Sequence, residues 1–251
     1  MPDYIIPNLL NACRVLKLLA QTPGLTVSEI GRELHVPRTT VLRIVTTLCR
    51  EGMLHEADGL YRPGSALIPL GMKALEGIDL RRAAQPVLRR LAQLTGETAH
   101  LAVEAENKSL LVEVSQSPHP IRVGAPAGTF ADLHCSATGK IFLTHRHLAE
   151  LPSLFALLKP QTRTSNTIVT AAAMAKEAAR IVKQGYAVDE EEFYEGIRCL
   201  AAPVRDNSGK VVAAIGITGT ATRFTKDRIP DFAAKVMAAA NELSTALGSQ
   251  G

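Results

Sequence analysis

Apolar residues recur every three or four positions at Leu9, Ala12, Cys13, Leu16, Leu19 and Ala20. That spacing is one face of an amphipathic helix, stopped by Pro23 and Gly24. Thr26 stands three residues before Glu29, the spacing of a capping box, and predicts a short helix to Leu34 that buries Ile30 and Leu34. His35 and Val36 make a turn, and Pro37, with its preset φ, suits the first position of a third helix over 37–51. There Val41, Ile44, Val45 and Leu48 gather on one side. Thr39, Arg43, Thr46 and Arg50 fall on the opposite side, flanked by Arg38, Thr40 and Thr47. Gly52 can end that helix, and Asp58-Gly59 between two short extended runs is a strong hairpin signal. Helix, short helix, turn, polar-faced helix and hairpin compose a winged helix-turn-helix.

Residues 65–76 read as a linker helix interrupted by Pro69, with Gly77 after it. Residues 80–94 form a longer amphipathic helix with Ala84, Val87, Leu88 and Leu91 inward. The period then changes to two. Residues 98–105 and 109–115 alternate around Glu106, Asn107 and Lys108 as a hairpin, and 121–124 make a short third strand. An alanine-rich helix over 171–183 ends at Gly185. Residues 199–204 and 210–218 form another hairpin, and Thr225 caps a final helix reaching about Leu247. Antiparallel pairs with helices before, between and after them indicate an α+β sandwich. The domains expected are a winged helix-turn-helix over 1–64, a linker helix over 65–77 and a larger domain over 78–251.

Composition decides less than position. Hydrophobic residues make up 46% and charged residues 21% of the 251, an ordinary globular balance. Residues 1–76 hold eight Lys/Arg against seven Asp/Glu, so the first domain is no basic block. A nucleic-acid partner must be argued from where the arginines sit. On the third helix they share a face with threonines and no acid, whereas solvated faces are usually rich in Glu and Lys. A plain surface helix is the alternative, and the neighbouring hairpin weighs against it. Guanidinium forks on such a face can meet guanine edges and phosphates in a major groove, with the wing and Arg62 along the backbone or minor groove. Double-stranded DNA is therefore the expected partner, through Arg38, Thr39, Thr40, Arg43, Thr46, Thr47, Arg50 and Arg62. The four cysteines, Cys13, Cys49, Cys135 and Cys199, lie far apart without metal-finger spacing and read as reduced thiols of a cytoplasmic protein. Neither a signal peptide nor a membrane segment is expected.

The chain resembles the IclR family of bacterial transcriptional regulators. The likeness is carried by LTVSEIGRELHVPRTTVLRIVTTLCREGML, YRPGSALIPLG, TGETAHLAV, LHCSATGKIFL, GYAVDEEEFYEGIRCLAAPV and VVAAIGITG, which span most of the chain in the family's order. The resemblance implies that the larger domain is a GAF/PAS-like α/β sandwich with a central antiparallel sheet. It also implies a homodimer, with dimers pairing into tetramers, that reads a pseudo-palindromic operator as a repressor or activator.

The segment from Leu133 to Lys140 looks reactive and admits several readings. A phosphate loop fails, because His134 and Ile141 stand where Gly and Ser or Thr are needed. A cysteine hydrolase on Cys135 with His134, and a metal site from His134, Cys135, Asp189 and Cys199, are open by residue type but lack diagnostic spacing. In the remaining reading Ser136 caps a helix whose first amides, Ala137 and Thr138, face an anion. The resemblance implies that these amides hold a small organic acid. It adds polar contacts at Asp189, Cys199, Gly216 and Thr218 and apolar walls at Val123, Ala131 and Ile197. Small residues at Gly216 and Ala131 would enlarge the pocket. Without the resemblance Asp189 reads as a solvated acid, and His100 reads as a core histidine with its hydrogen bonds satisfied. No catalytic residue, metal or cofactor is assigned, and an enzyme is not expected.

Overall fold

The computed structural model describes residues 4–76 and 79–249, and the chain divides into two units, Met1–Ile78 and Asp79–Gly251. Gly77 and Ile78, where the linker was expected to meet the larger domain, lie outside the described residues, as do residues 1–3, 250 and 251.

The first unit holds α1 (Pro7–Gln21), α2 (Val27–Leu34), α3 (Arg38–Arg50), β1 (Leu54–Ala57), β2 (Leu60–Pro63) and α4 (Leu67–Glu76). The capping box forms: Thr26 accepts from the Glu29 amide at 3.3 Å, and Glu29 accepts from the Thr26 amide at 2.8 Å. The three helices close over Val15, Leu19, Ile30, Val41, Ile44 and Val45. On α1 the inward face is Ala12, Val15, Leu16, Leu18 and Leu19, while Leu9, Cys13 and Ala20 are exposed. Nearly every side of that helix offers an apolar residue, so periodicity alone could not choose the buried one. Contact with α2 and α3 does. Asp58 and Gly59 both take positive φ (55° and 76°) in the turn between β1 and β2, and Leu25 adds a bridge to Tyr61 that the sequence had not announced. Pro69 does not interrupt α4. It lies in the first turn, where its missing N–H has no intrahelical partner to lose.

In the second unit α5 (Asp79–Thr95) leads into β3 (Thr98–Ala105) and β4 (Lys108–Ser115). Then come β5 (Phe130–Asp132), α6 (Ala137–Arg146), α7 (Leu151–Leu158), α8 (Ala171–Gln184), β6 (Ala187–Glu190), β7 (Ile197–Arg205), β8 (Val211–Thr220) and α9 (Ile229–Ala246). Six strands pair antiparallel in the order β5-β4-β3-β8-β7-β6. Period-two alternation sends Leu101, Leu200 and Ile215 to the face covered by α5 and α9, and Ala102, Ala201 and Ala214 to the face covered by α6 and α8. The fold is thus mixed α+β, with an antiparallel sheet between helical layers.

Two expected elements are corrected. Residues 121–124 are not a strand; the third strand of that edge is β5, and Ile121 is exposed. Two prolines, Pro118 and Pro120, precede that run and keep it irregular, although the Thr98 hydroxyl donates to the Val123 carbonyl at 2.5 Å. Thr225 does not cap the last helix with its side chain. A 3₁₀ turn over Lys226–Arg228 intervenes, and α9 begins where Pro230 can occupy its first turn.

Candidate functional site

On α3, burial of Val41, Ile44 and Val45 turns Arg38, Thr39, Arg43, Thr46, Thr47 and Arg50 to solvent, with Thr40 half-buried. The Thr47 hydroxyl donates to the Arg43 carbonyl at 2.8 Å. Among the described residues no carboxylate pairs with Arg38, Arg43, Arg50 or Arg62, so those guanidiniums stay available to an outside anion. Leu42 is also exposed on this helix, a feature the polar-face reading left out. Arg62, on β2, is exposed and runs beside Gly24: a Cβ at that glycine would sit 3.7 Å from Arg62 Nε.

In the second unit a cavity of about 350 Å³ opens between the α6-facing side of the sheet and the first turn of α6. Ser136 caps that turn. Its hydroxyl accepts from the Gly139 amide at 3.1 Å and donates to the Asp132 carbonyl at 2.7 Å. Gly139 is required there, because a Cβ would come within 2.4 Å of Leu133 Cα. The amides of Ala137 and Thr138 have no acceptor among the described residues, and both residues line the cavity. The Thr138 side chain is engaged with the Ser109 hydroxyl at 2.7 Å.

Of the ten residues assigned to effector binding, nine border this one cavity: Val123, Ala131, Ser136, Ala137, Thr138, Asp189, Ile197, Cys199 and Thr218. Gly216 does not. It pairs with His100 across β8 and β3, and a Cβ on it would meet the Leu200 carbonyl oxygen at 2.5 Å and His100 Nε2 at 3.1 Å. The space above this glycine is filled by the imidazole, so it does not enlarge the pocket.

Asp189 is 1% exposed, not a solvated acid. Its Oδ1 accepts from the amides of Glu192 (2.7 Å) and Phe193 (3.3 Å). Burial outweighs these bonds and pushes its pKa up to about 6. Cys199 lies opposite it in the β6–β7 register and accepts from the Thr218 hydroxyl at 3.2 Å. Burial drives that thiol well up. Behind the wall, Lys140 is fully buried, pairing with Glu177 at 3.1 Å and also with Glu192 and the Val188 carbonyl. Burial raises Glu192 to about 7, and its Oε2 has no partner among the described residues.

His100 was misread as a satisfied core histidine. It is buried, lines the cavity and has no hydrogen-bond partner among the described residues. Burial lowers its pKa to about 4, so the ring is neutral. Phe130, Phe193 and Tyr194 also face the cavity. Thr98 and His100 enter because β3 pairs with β8, a long-range register no local pattern announces.

The chemistry considered for Leu133 to Lys140 also changes. His134, Cys135, Asp189 and Cys199 do not form one cluster. The group whose ligand atoms lie within 4.8 Å of one another, among the described residues, is Asp132, His134 and Cys135. Two of the three are already engaged by the protein, Asp132 by Arg163 at 2.9 Å and His134 Nε2 by the Gln161 carbonyl at 3.0 Å, and burial pushes the Cys135 thiol up to about 12. The same shift leaves Cys135 a poor nucleophile.

No helix among the described residues is long and apolar enough to cross a membrane. Residues 72–245 match the family model for the C-terminal domain of the bacterial transcriptional regulator IclR, and residues 9–58 match the IclR helix-turn-helix domain. The chain is 33% identical over 236 residues to the HTH-type transcriptional regulator BhcR of Paracoccus denitrificans, covering 93% of this chain and 84% of that one. It is 29% identical to the transcriptional repressor IclR of Escherichia coli, covering 97% and 90%. The crystal structure of an IclR homolog complexed with 4-hydroxybenzoate, from Microbacterium hydrocarbonoxydans, superposes with a TM-score of 0.81 at 23% identity, covering 96% and 98%.

Proposed function

Because the chain belongs to the IclR family of bacterial transcriptional regulators, we propose that it is a cytoplasmic homodimer, able to pair into a dimer of dimers, whose operator affinity changes when a small organic acid binds its C-terminal domain. The amides of Ala137 and Thr138 hold the carboxylate, where the α6 dipole favours negative charge. The apolar body lies against Val123, Ala131 and Ile197, and Asp189, Cys199 and Thr218 edge the pocket. The observation that carries this reading is a pair of amides without acceptors opening into a cavity of about 350 Å³.

In the other unit α3 enters the major groove of a pseudo-palindromic site, reading with Arg38, Thr39, Thr40, Arg43, Thr46, Thr47 and Arg50 while Arg62 follows the backbone. Two heads on one site multiply a weak single contact. The linker segment 65–77 carries the acid's effect to the spacing of the heads, through whichever arrangement the acid binds more tightly. Arg43→Ala should weaken binding to a genomic fragment selected by the wild type by about 1–3 kcal/mol, with unchanged thermal melting. Undiminished affinity in a mobility-shift titration would overturn the groove orientation. Thr138→Pro removes one amide, and thermal stabilisation by carboxylic acids should vanish with it.

A further inference from the structure

The polar side chains around the cavity are not equally free. The hydroxyls of Thr98, Ser136, Thr138 and Thr218 already bond within the protein, and Asp189 accepts two amides. His100 differs from these: it is 6% exposed, borders the cavity, and, like the half-buried Thr129 and the exposed Tyr194, its side chain makes no hydrogen bond to a protein group among the described residues. The strand pairing holds the ring over Gly216, where a Cβ would come within 3.1 Å of Nε2, so its nitrogens are offered to whatever fills the cavity.

We infer that His100 is the specificity-determining residue of the cavity and reads a hydroxyl group on a single-ring organic acid whose carboxylate sits on the α6 amides. This rests on the acid-binding reading of the cavity. A neutral imidazole offers one N–H donor and one bare nitrogen acceptor, and a hydroxyl both donates and accepts. A second carboxylate accepts from the N–H but has no proton for the bare nitrogen, and a wholly apolar group leaves both nitrogens unpaired. Val114 stands opposite His100 on β4, and Leu111, Phe130 and Phe193 add apolar surface elsewhere in the cavity wall. An apolar cavity of about 150 Å³ can hold one benzene ring, so 350 Å³ has room for a one-ring acid with its substituents.

The test is binding of benzoate, 3-hydroxybenzoate, 4-hydroxybenzoate and pyruvate to the full-length protein, by calorimetry. The wild type should bind at least one hydroxybenzoate about tenfold or more tighter than benzoate. His100→Leu should lose that preference, its hydroxybenzoate and benzoate affinities coming within about threefold of each other, and His100→Asn should restore part of it. If His100→Leu does not fold, His100→Met makes the same comparison. A preference that survives the apolar substitution, or equal binding of benzoate and both hydroxybenzoates by the wild type, overturns the inference. Binding of pyruvate alone overturns it and leaves the acid cavity standing. Binding of none of the four, or binding undiminished in Thr138→Pro, overturns the acid cavity as well.

Discussion

Lys140 shows how much a single buried charge constrains. It has no exposed surface, and its ammonium is shared by two carboxylates and a backbone carbonyl. Burial raises Glu192 from the ordinary carboxylate range to about 7 despite that cation. A carboxyl with a raised folded pKa binds more protons folded than unfolded between about 4.5 and 7, so its contribution to stability is present below that window and lost as pH rises through it. Glu192→Gln should therefore gain stability relative to the wild type as pH rises from 5 to 7.5. Thermal melts at a series of pH values check this, and parallel curves for the two proteins would refute it. Asp189, raised to about 6, adds a slope of the same sign that the substitution leaves in place. Neither behaviour could be read locally, because Glu192 stands in an acidic run that looks solvated until the fold carries Lys140 to it.

At the scale of elements, α6 is where local pattern and tertiary structure agree. Ser136 announces the cap, and the structure places it. What the pattern missed is Gly139, which lets the helix start press against the backbone of Leu133. Gly139→Ala would force a Cβ into that contact. It should destabilise the C-terminal unit by about 1–3 kcal/mol and abolish carboxylate-induced stabilisation, as followed by melting with and without benzoate. An unaltered Tm would show that the turn yields easily. The same contrast holds elsewhere. Capping, turn and alternation signals act between neighbours, so the Thr26 box, the Asp58-Gly59 turn and the β3–β4 and β7–β8 hairpins were legible. The strand at Phe130–Asp132, the pairing of β3 with β8 and the inward face of α1 depend on distant partners, and they were not. His100 shows the same limit at the site, since the β3–β8 register is what brings it to the cavity.

At the scale of the molecule, charge is organised by place and not by amount. The chain carries a net +4, and Arg38, Arg43 and Arg50 on α3 and Arg62 on β2 pair with no carboxylate among the described residues. The cysteines are sorted in the same way. Cys135 and Cys199, in the C-terminal unit, have thiols driven far above neutrality, and Cys49 is half-buried and raised as well. Only Cys13, on the outer side of α1, has an exposed side chain. Alkylation proceeds through the thiolate, so brief treatment with iodoacetamide at neutral pH should mark Cys13 first in a peptide map; early marking of Cys135 would contradict the burial described. The consequence is insulation: electrophiles that reach the molecule meet the one exposed thiol, Cys13, in the unit that carries the helix-turn-helix, while burial keeps the sulfurs of the C-terminal unit protonated.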